Sequence, residues 1–373
     1  MERLIVYPFD IEFSPVLRHM GLIENYTITA LISPRGWWGT SNDACIVDGG
    51  KPTGLKISSD FESNLEHCDT VLISDYCKFL DYNKSVFPKI VIAVEHKRNI
   101  ICTLPLEENQ KKQIADLCQK KGVYFKHYHI KIRPLSSIKK QIILDINTPI
   151  ICVAGISERT DKFNVQLALR EKFLQEGYKV SQVGSKSWCE LLGFHSFPNF
   201  MYSSYILESD KIVLFNQYIK NIEEEEQPDV IILGIPGGII PINNNLTNRF
   251  GILAYMVSQA IIPDAFIFCT LYEDHKSDYY EELAKSMKYK FGFEVDAYSI
   301  SNTKFDWSSY MSQPAMSKKF EVLTINNVDV DSKINSLRDC NFKLYNIKNE
   351  KDKTRLSEYI IDKLVEYGTV DSL

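Results

Sequence analysis

The chain has 373 residues, 45% of them hydrophobic and 24% charged, with a net charge of −5; that is about two domains of ordinary globular sequence and carries no electrostatic footprint for nucleic acid. No run reaches the ~20 apolar residues needed to cross a bilayer, and the opening MERLIVYPFD lacks the long apolar core and cleavage site of a signal peptide, so no membrane partner is expected and the expected compartment is the cytoplasm. Nine cysteines, an odd number without a C-x-x-C pair, read as buried free thiols of a reduced compartment, not as a disulfide framework or a metal site.

In chain order, RLIVYP and YTITALISP read as strands, followed by strand candidates at Thr70–Ser74 and Ile100–Leu104. Glu107–Gly122 places Ile114, Leu117 and Cys118 on one helical face, with Gly122 as a stop, and VYFKHYH follows as a further strand. Strands alternating with helices imply a parallel, doubly wound sheet. The basic, proline-containing stretch KIRPLSSIKKQ marks a boundary, giving a Rossmann-like α/β domain over 1–138 and a second α/β domain over 139–373.

The second part restarts the alternation. Strands are expected at Pro149–Ala154, Lys179–Val183, Val230–Ile235 and Ala265–Leu271, then at Val295–Ile300 and Glu321–Ile325. Helices are expected at Asn164–Glu176, Asn248–Ile261, Tyr279–Lys290 and about Thr354–Tyr367. The charge run NIEEEEQ reads as a solvated helix end or loop.

The first strand of this part leads into GISERTDKF, which keeps Gly155 at the strand end and Lys162 seven residues on, just before a helix. A phosphate-binding loop works through backbone N–H groups, a lysine on the outer phosphates and a Ser/Thr on Mg²⁺. The spacing resembles the variant loop G-T-x-x-x-x-G-K-T of the dethiobiotin-synthetase-like branch of P-loop proteins. Asp161 replaces the glycine before the lysine, Phe163 replaces the Mg²⁺-binding hydroxyl, and Gly234 in DVIILGIPGG stands where that branch carries a metal-associated Asp. The expected domain is therefore P-loop-like with a degenerate loop. A nucleotide held by Gly155 and Lys162 without Mg²⁺-dependent hydrolysis is the remaining cofactor expectation.

Four loops follow strand ends, where ligands bind in open α/β sheets. SPRGWWGTSNDACIVDGG offers Trp37, Trp38, Asp43 and Asp48 as partner-binding residues, rigid aromatics being frequent anchors. SKSWCELLGFHSFPNFM combines Cys189 and His195, a nucleophile–base pair if the loop folds back, with Glu190 able to orient the histidine; these are the candidate catalytic residues. Backbone N–H groups of Gly237 and Gly238 in GIPGGIIPINNN are candidates to hold an anion, and LYEDHKSDYYEE places Asp274 and His275 at another strand end.

Four stretches, YPFDIEFSPVLR, SPRGWWGTSNDACIVDGG, SWCELLGFHSFPNFM and ILGIPGGIIP, resemble an accessory protein family of peptide maturation systems in low-GC anaerobic bacteria. In those systems a radical-SAM enzyme installs thioether cross-links in a small Cys-rich precursor peptide. The resemblance implies an accessory or scaffold protein that binds the precursor peptide or its radical-SAM maturase. The alternative is a nucleotide-dependent ligase- or transferase-like enzyme of the P-loop branch using Lys162.

Overall fold

Two parallel sheets organise the chain. A computed structural model describes residues 1–37, 39, 41–128, 142–314, 318–337 and 341–370. The first unit comprises Met1–Ile130 together with Ser187–Gly193; the second comprises Lys131–Lys186 and Phe194–Leu373. The expected boundary at 138/139 lies outside the described residues, as does Trp38.

In the first unit the strands are β1 (Glu2–Tyr7), β2 (Tyr26–Ile32), β3 (Ile57–Ser58), β4 (Thr70–Ile73), β5 (Asn99–Cys102) and β6 (Phe125–His127). All pair in parallel, in the order β3-β2-β1-β4-β5-β6. This is the doubly wound Rossmann order, with its switch point between β1 and β4. Helices α1 (Ser14–Arg18), α2 (Phe61–Leu65), α3 (Phe87–Glu95) and α4 (Glu108–Lys121) flank it. As expected, α4 buries Ile114 and Cys118 and ends at Gly122, whose φ of 71° is the left-handed conformation that glycine adopts freely. The expected helices do not include α3; it starts at a proline in its first turn and buries Ile90, Ala93 and Val94. The Trp188 ring, wholly buried, packs 5.1 Å from Phe13 within this unit.

The second unit holds β7 (Ile150–Gly155), β8 (Val180–Gly184), β9 (His195–Ser196), β10 (Val230–Gly238), β11 (Ala265–Thr270), β12 (Ala297–Ile300), β13 (Thr303–Phe305), β14 (Val322–Thr324) and β15 (Lys343–Tyr345). Seven of them form a parallel sheet in the order β15-β12-β11-β7-β10-β8-β9. Its helices are α5 (Lys162–Gln175), α6 (Glu208–Glu226), α7 (Ile252–Ala260), α8 (Ser277–Phe291), α9 (Trp307–Ser312), α10 (Asn327–Ser336) and α11 (Glu350–Val370).

Strand β7 is buried at every position, and its side chains alternate between two cores. Ile150, Cys152 and Ala154 join Phe215 and Ile219 of α6 and Val257 of α7, whereas Ile151 and Val153 join Val165 and Leu169 of α5 and Leu356 and Ile360 of α11. A strand covered on both faces needs this continuous apolar run, which makes it legible in sequence.

Two expectations are corrected. The strand around Glu321–Ile325 does not extend the main sheet; β14 pairs antiparallel with β13 in a separate two-stranded ribbon. The outer strand of the main sheet is instead β15, only three residues long. The run NIEEEEQ forms the last turns of α6, a 19-residue helix whose inner face carries Lys211, Phe215, Ile219 and Ile222.

Candidate functional site

The carboxyl ends of β7, β10 and β11 lie side by side, because β10 and β11 are the two hydrogen-bonded neighbours of β7. They deliver three loops to one sheet edge, the ligand side of open α/β sheets. The first joins Gly155 to α5. It folds back tightly: a Cβ on Gly155 would stand 2.2 Å from Thr160 Oγ1 and 2.9 Å from the Ser157 carbonyl oxygen. Thr160 Oγ1 donates to that same carbonyl at 3.2 Å. Arg159 and Asp161 both take left-handed backbone, with φ of 59° and 56°, an uncommon state for residues with side chains.

Lys162 opens α5 and is buried, with 3% exposure. Its Nζ lies 3.1 Å from Glu158 Oε2 and donates to the Gly237 carbonyl oxygen. Burial opposes the charge of Glu158, but the ammonium groups of Lys162 and Lys186 and a backbone hydrogen bond from Gly237 outweigh it, holding this half-exposed carboxyl down at about 2. The backbone donor expected at Gly237 thus meets an anion supplied by the chain itself. At Gly238 an added Cβ would stand 2.5 Å from the Asn248 side chain, whose Nδ2 donates to the carbonyls of Ile156, at 3.1 Å, and Ile240, at 2.6 Å. Asn248 therefore ties the first loop to the second. Asp161 pairs with Lys348 at 3.5 Å, both side chains largely buried.

The positions expected to touch Mg²⁺ hold packing groups. Phe163 is buried, its ring centroid 6.4 Å from that of Phe194. Gly234 faces the wholly buried Gln166: a Cβ there would stand 2.0 Å from Gln166 Oε1. The Gln166 amide donates to the Lys162 carbonyl at 3.0 Å and to Ser185 Oγ at 3.2 Å. An Mg·nucleotide of the usual kind does not fit these residues, since a phenyl ring supplies no ligand and Gln166 fills the space of the strand-end carboxylate.

Among the other expected residues, the carboxylate that His195 meets is Glu226, at the end of α6, and not Glu190. Burial opposes ionisation of Glu226, but hydrogen bonds from Ser181 and His195 lower it overall. Cys189 is wholly buried in a short turn over Cys189–Leu192. In the tryptophan loop Trp37 is half-buried. Asp43 and Asp48, expected at a partner surface, are turned into the loop. Asp43 accepts from the N–H groups of Cys45 (2.8 Å), Thr53 (2.9 Å) and Gly54 (2.7 Å), which outweigh desolvation and hold it well below the usual carboxylate range. Asp48 is buried against Arg18 at 2.6 Å.

A cavity of about 380 Å³ opens in the second unit beside the first loop. Ile156, Ile240, Pro241, Leu271, Tyr279 and Phe305 line it, together with Trp307 and the ionisable Glu273 and His275. Its size falls within the range of small-molecule pockets. Of these residues the sequence singles out His275 alone; Phe305 reaches the cavity from β13, whose pairing with β14 no local pattern announces, and Trp307 from the start of α9 just after it. Among the described residues no cluster of His, Cys, Asp and Glu could hold a metal ion, and no helix is long and apolar enough to cross a membrane.

No protein-family model matches the chain, and no curated protein matches it. Among solved structures it is similar to a DUF1611 family protein from Anabaena variabilis ATCC 29413, with a TM-score of 0.62 over 98% of this chain and 100% of that one at 10% identity. An amine dehydrogenase from Mycobacterium smegmatis aligns over 33% of this chain and 38% of its own, with a TM-score of 0.27 at 18% identity. A homoserine dehydrogenase from S. aureus aligns over 34% and 32%, with a TM-score of 0.26 at 14% identity. At these identities the first likeness speaks to the fold alone, and the two dehydrogenases share only local segments.

Proposed function

We propose that the chain is a cytoplasmic accessory or scaffold protein of a ribosomal peptide maturation system, binding the Cys-rich precursor peptide or its radical-SAM modifying enzyme without turning over nucleotide. The system comes from the resemblance of the four sequence stretches. The observation that carries the non-enzymatic part is the state of Lys162: buried, neutralised by Glu158 and hydrogen-bonded to Gly237, with Phe163 and Gln166 packed at the positions a metal would need. Partner binding is assigned to the tryptophan loop, in which Asp43 accepts from the loop's own N–H groups and Asp48 pairs with Arg18; the contact itself is assigned to its tryptophans.

The test is a calorimetric titration of the purified protein with the precursor peptide and, separately, with the radical-SAM enzyme from the same genome. Saturable binding of either is expected, and Trp37→Ala or Trp38→Ala should weaken it by about 2 kcal/mol, the scale of an interface hot spot. Wild-type protein that binds neither sinks the reading. Unchanged affinity in both variants removes the loop from it.

A second reading, anion binding at Lys162 by a degenerate P-loop domain, is favoured by one observation: Lys162, Lys186 and the Gly237 backbone already converge on a carboxylate. Nucleotide binding without Mg²⁺, competing with Glu158 and strengthened in Glu158→Gln, would support it.

A further inference from the structure

The cavity beside the first loop combines three kinds of wall. Aliphatic residues close its floor, Ile156 and Ile240 among them, and Tyr279, Phe305 and Trp307 supply three aromatic rings from three different elements. The Phe305 and Trp307 rings meet edge to face, with centroids 4.6 Å apart at 77°, and Trp307 remains 47% exposed at the rim. One carboxylate, Glu273, enters this surface. The Phe305 backbone and the Trp307 side chain lie close enough to favour its charged form, so the residues that supply two of the rings also face the carboxylate.

The other charges nearby are arranged around it. Lys333 is held by Asp274 at 2.8 Å. Burial pushes the Glu273 carboxyl up from its ordinary value, and the Phe305 backbone, Lys304 and Trp307 offset this only in part. The His275 ring stacks on Tyr279 with centroids 3.6 Å apart at 22°, and burial and the Lys333 ammonium, opposed by Asp274, make it harder to protonate than a free imidazole. The cavity wall therefore holds one carboxyl group, one imidazole and three π-faces. Aromatic faces attract cations through the ring quadrupole, more strongly where water is excluded, and a carboxylate in such a setting gains from an opposite charge.

We infer that this cavity is a binding site for a small organic amine, whose ammonium group faces Glu273 and whose apolar body lies against Tyr279, Phe305 and Trp307. Ammonium on a hydrophobic frame matches both features at once: an anionic ligand would be repelled by Glu273, and a neutral apolar one would bury that carboxylate further without offering it an opposite charge. The inference goes beyond the peptide-binding reading and does not depend on it, since its residues all belong to the second unit and Trp37 and Trp38 to the first.

The experiment uses three probes of one shape on the full-length protein at neutral pH: phenethylamine, 2-phenylethanol and 3-phenylpropanoate. Binding is read by ligand-observed NMR and titration calorimetry. Wild type should bind phenethylamine about tenfold or more tighter than the alcohol, with the carboxylate weakest, the order set by a cation–π contact and an ion pair. Glu273→Gln, which keeps the shape of the side chain, should abolish the preference for the amine while circular dichroism stays native. Trp307→Leu at the half-exposed rim should weaken the amine more than the alcohol. Equal affinity for amine and alcohol, tighter binding of the carboxylate, no binding of the amine at millimolar concentration, or an amine preference that survives in a folded Glu273→Gln would each overturn the assignment. The comparison of probes on wild type stands even if a variant fails to fold.

Discussion

The Lys162 ammonium lies 3.1 Å from the Glu158 carboxylate, four residues before it in the chain, and the pair joins the loop after β7 to the first residue of α5. An ammonium buried in the sheet edge needs a counter-charge and acceptors, or its desolvation costs several kcal/mol. Here Glu158 and the Gly237 carbonyl supply them.

Removing that counter-charge should destabilise the fold. Glu158→Gln leaves Lys162 buried with only neutral acceptors, and, because Glu158 is itself half-exposed, the expected loss at pH 7 is about 1–2 kcal/mol, below the range for a fully buried pair. The Glu158 carboxyl titrates at about 2 in the folded protein, below the ~4.3 of an unfolded chain. A depressed folded-state value gives stability that is complete above pH ~4.3 and is lost as pH falls toward 2. The difference between wild type and Glu158→Gln in urea unfolding should therefore be full at pH 6 and shrink progressively between pH 4.3 and 2. A constant difference across that range would show that the ion pair is not its source.

Hydrolysis of ATP or GTP should be absent. Phe163 offers no oxygen to Mg²⁺, and Gln166 fills the space beside Gly234. A steady-state phosphate-release assay should stay at background. A rate of order 1 s⁻¹, ordinary for an enzyme, that disappears in Lys162→Ala would overturn the accessory reading.

Gly234 and Gln166 should be energetically coupled. A Cβ at 234 would stand 2.0 Å from Gln166 Oε1, so Gly234→Ala forces a wholly buried amide to move and should cost about 1–3 kcal/mol as overpacking. Gln166→Ala opens that space. The double variant should be more stable than the sum of the two single losses predicts, by about 1 kcal/mol or more in a double-mutant cycle. Additive losses would mean that the two side chains do not share the space.

The thiols should react in two classes. Burial raises Cys68 and Cys118 to about 11 and Cys102 to about 12, while Cys152 and Cys269 are pushed higher still. Cys45 is half-exposed, and no disulfide joins any of the eight cysteines among the described residues. Ellman titration of native protein at pH 8 should find the buried thiols slow, and titration in denaturant should find all nine cysteines of the sequence. Fewer than nine on protein kept from air would reveal a bridge or a bound metal.

How far the sequence reached depended on the range of the interaction concerned. The strands β7, β10 and β11 are legible because burial on both faces demands unbroken apolar runs, as in IICVAG and AFIFCT. The stop of α4 at Gly122 is legible because glycine takes the left-handed backbone of a helix end freely. Phe163 and Gly234 already argue from sequence against a working Mg²⁺ site, since one lacks a side-chain oxygen and the other a side chain.

What tertiary structure alone decided are the pairings between distant segments. The partner of His195 is Glu226, 31 residues away, and Glu190, which stands nearer in sequence, is not that partner. Asp161 meets Lys348 across nearly two hundred positions, and Gln166 meets Gly234 from the neighbouring helix. The three-residue β15 is too short to carry a period, and takes its place only because β12 offers an open edge. The cavity of Glu273, Tyr279 and Trp307 exists because β13 and β14 fold into a ribbon beside the strand ends. Local pattern fixes which face of an element is buried; which residues then meet depends on strand order and loop path, and these are set by the packing of the whole unit.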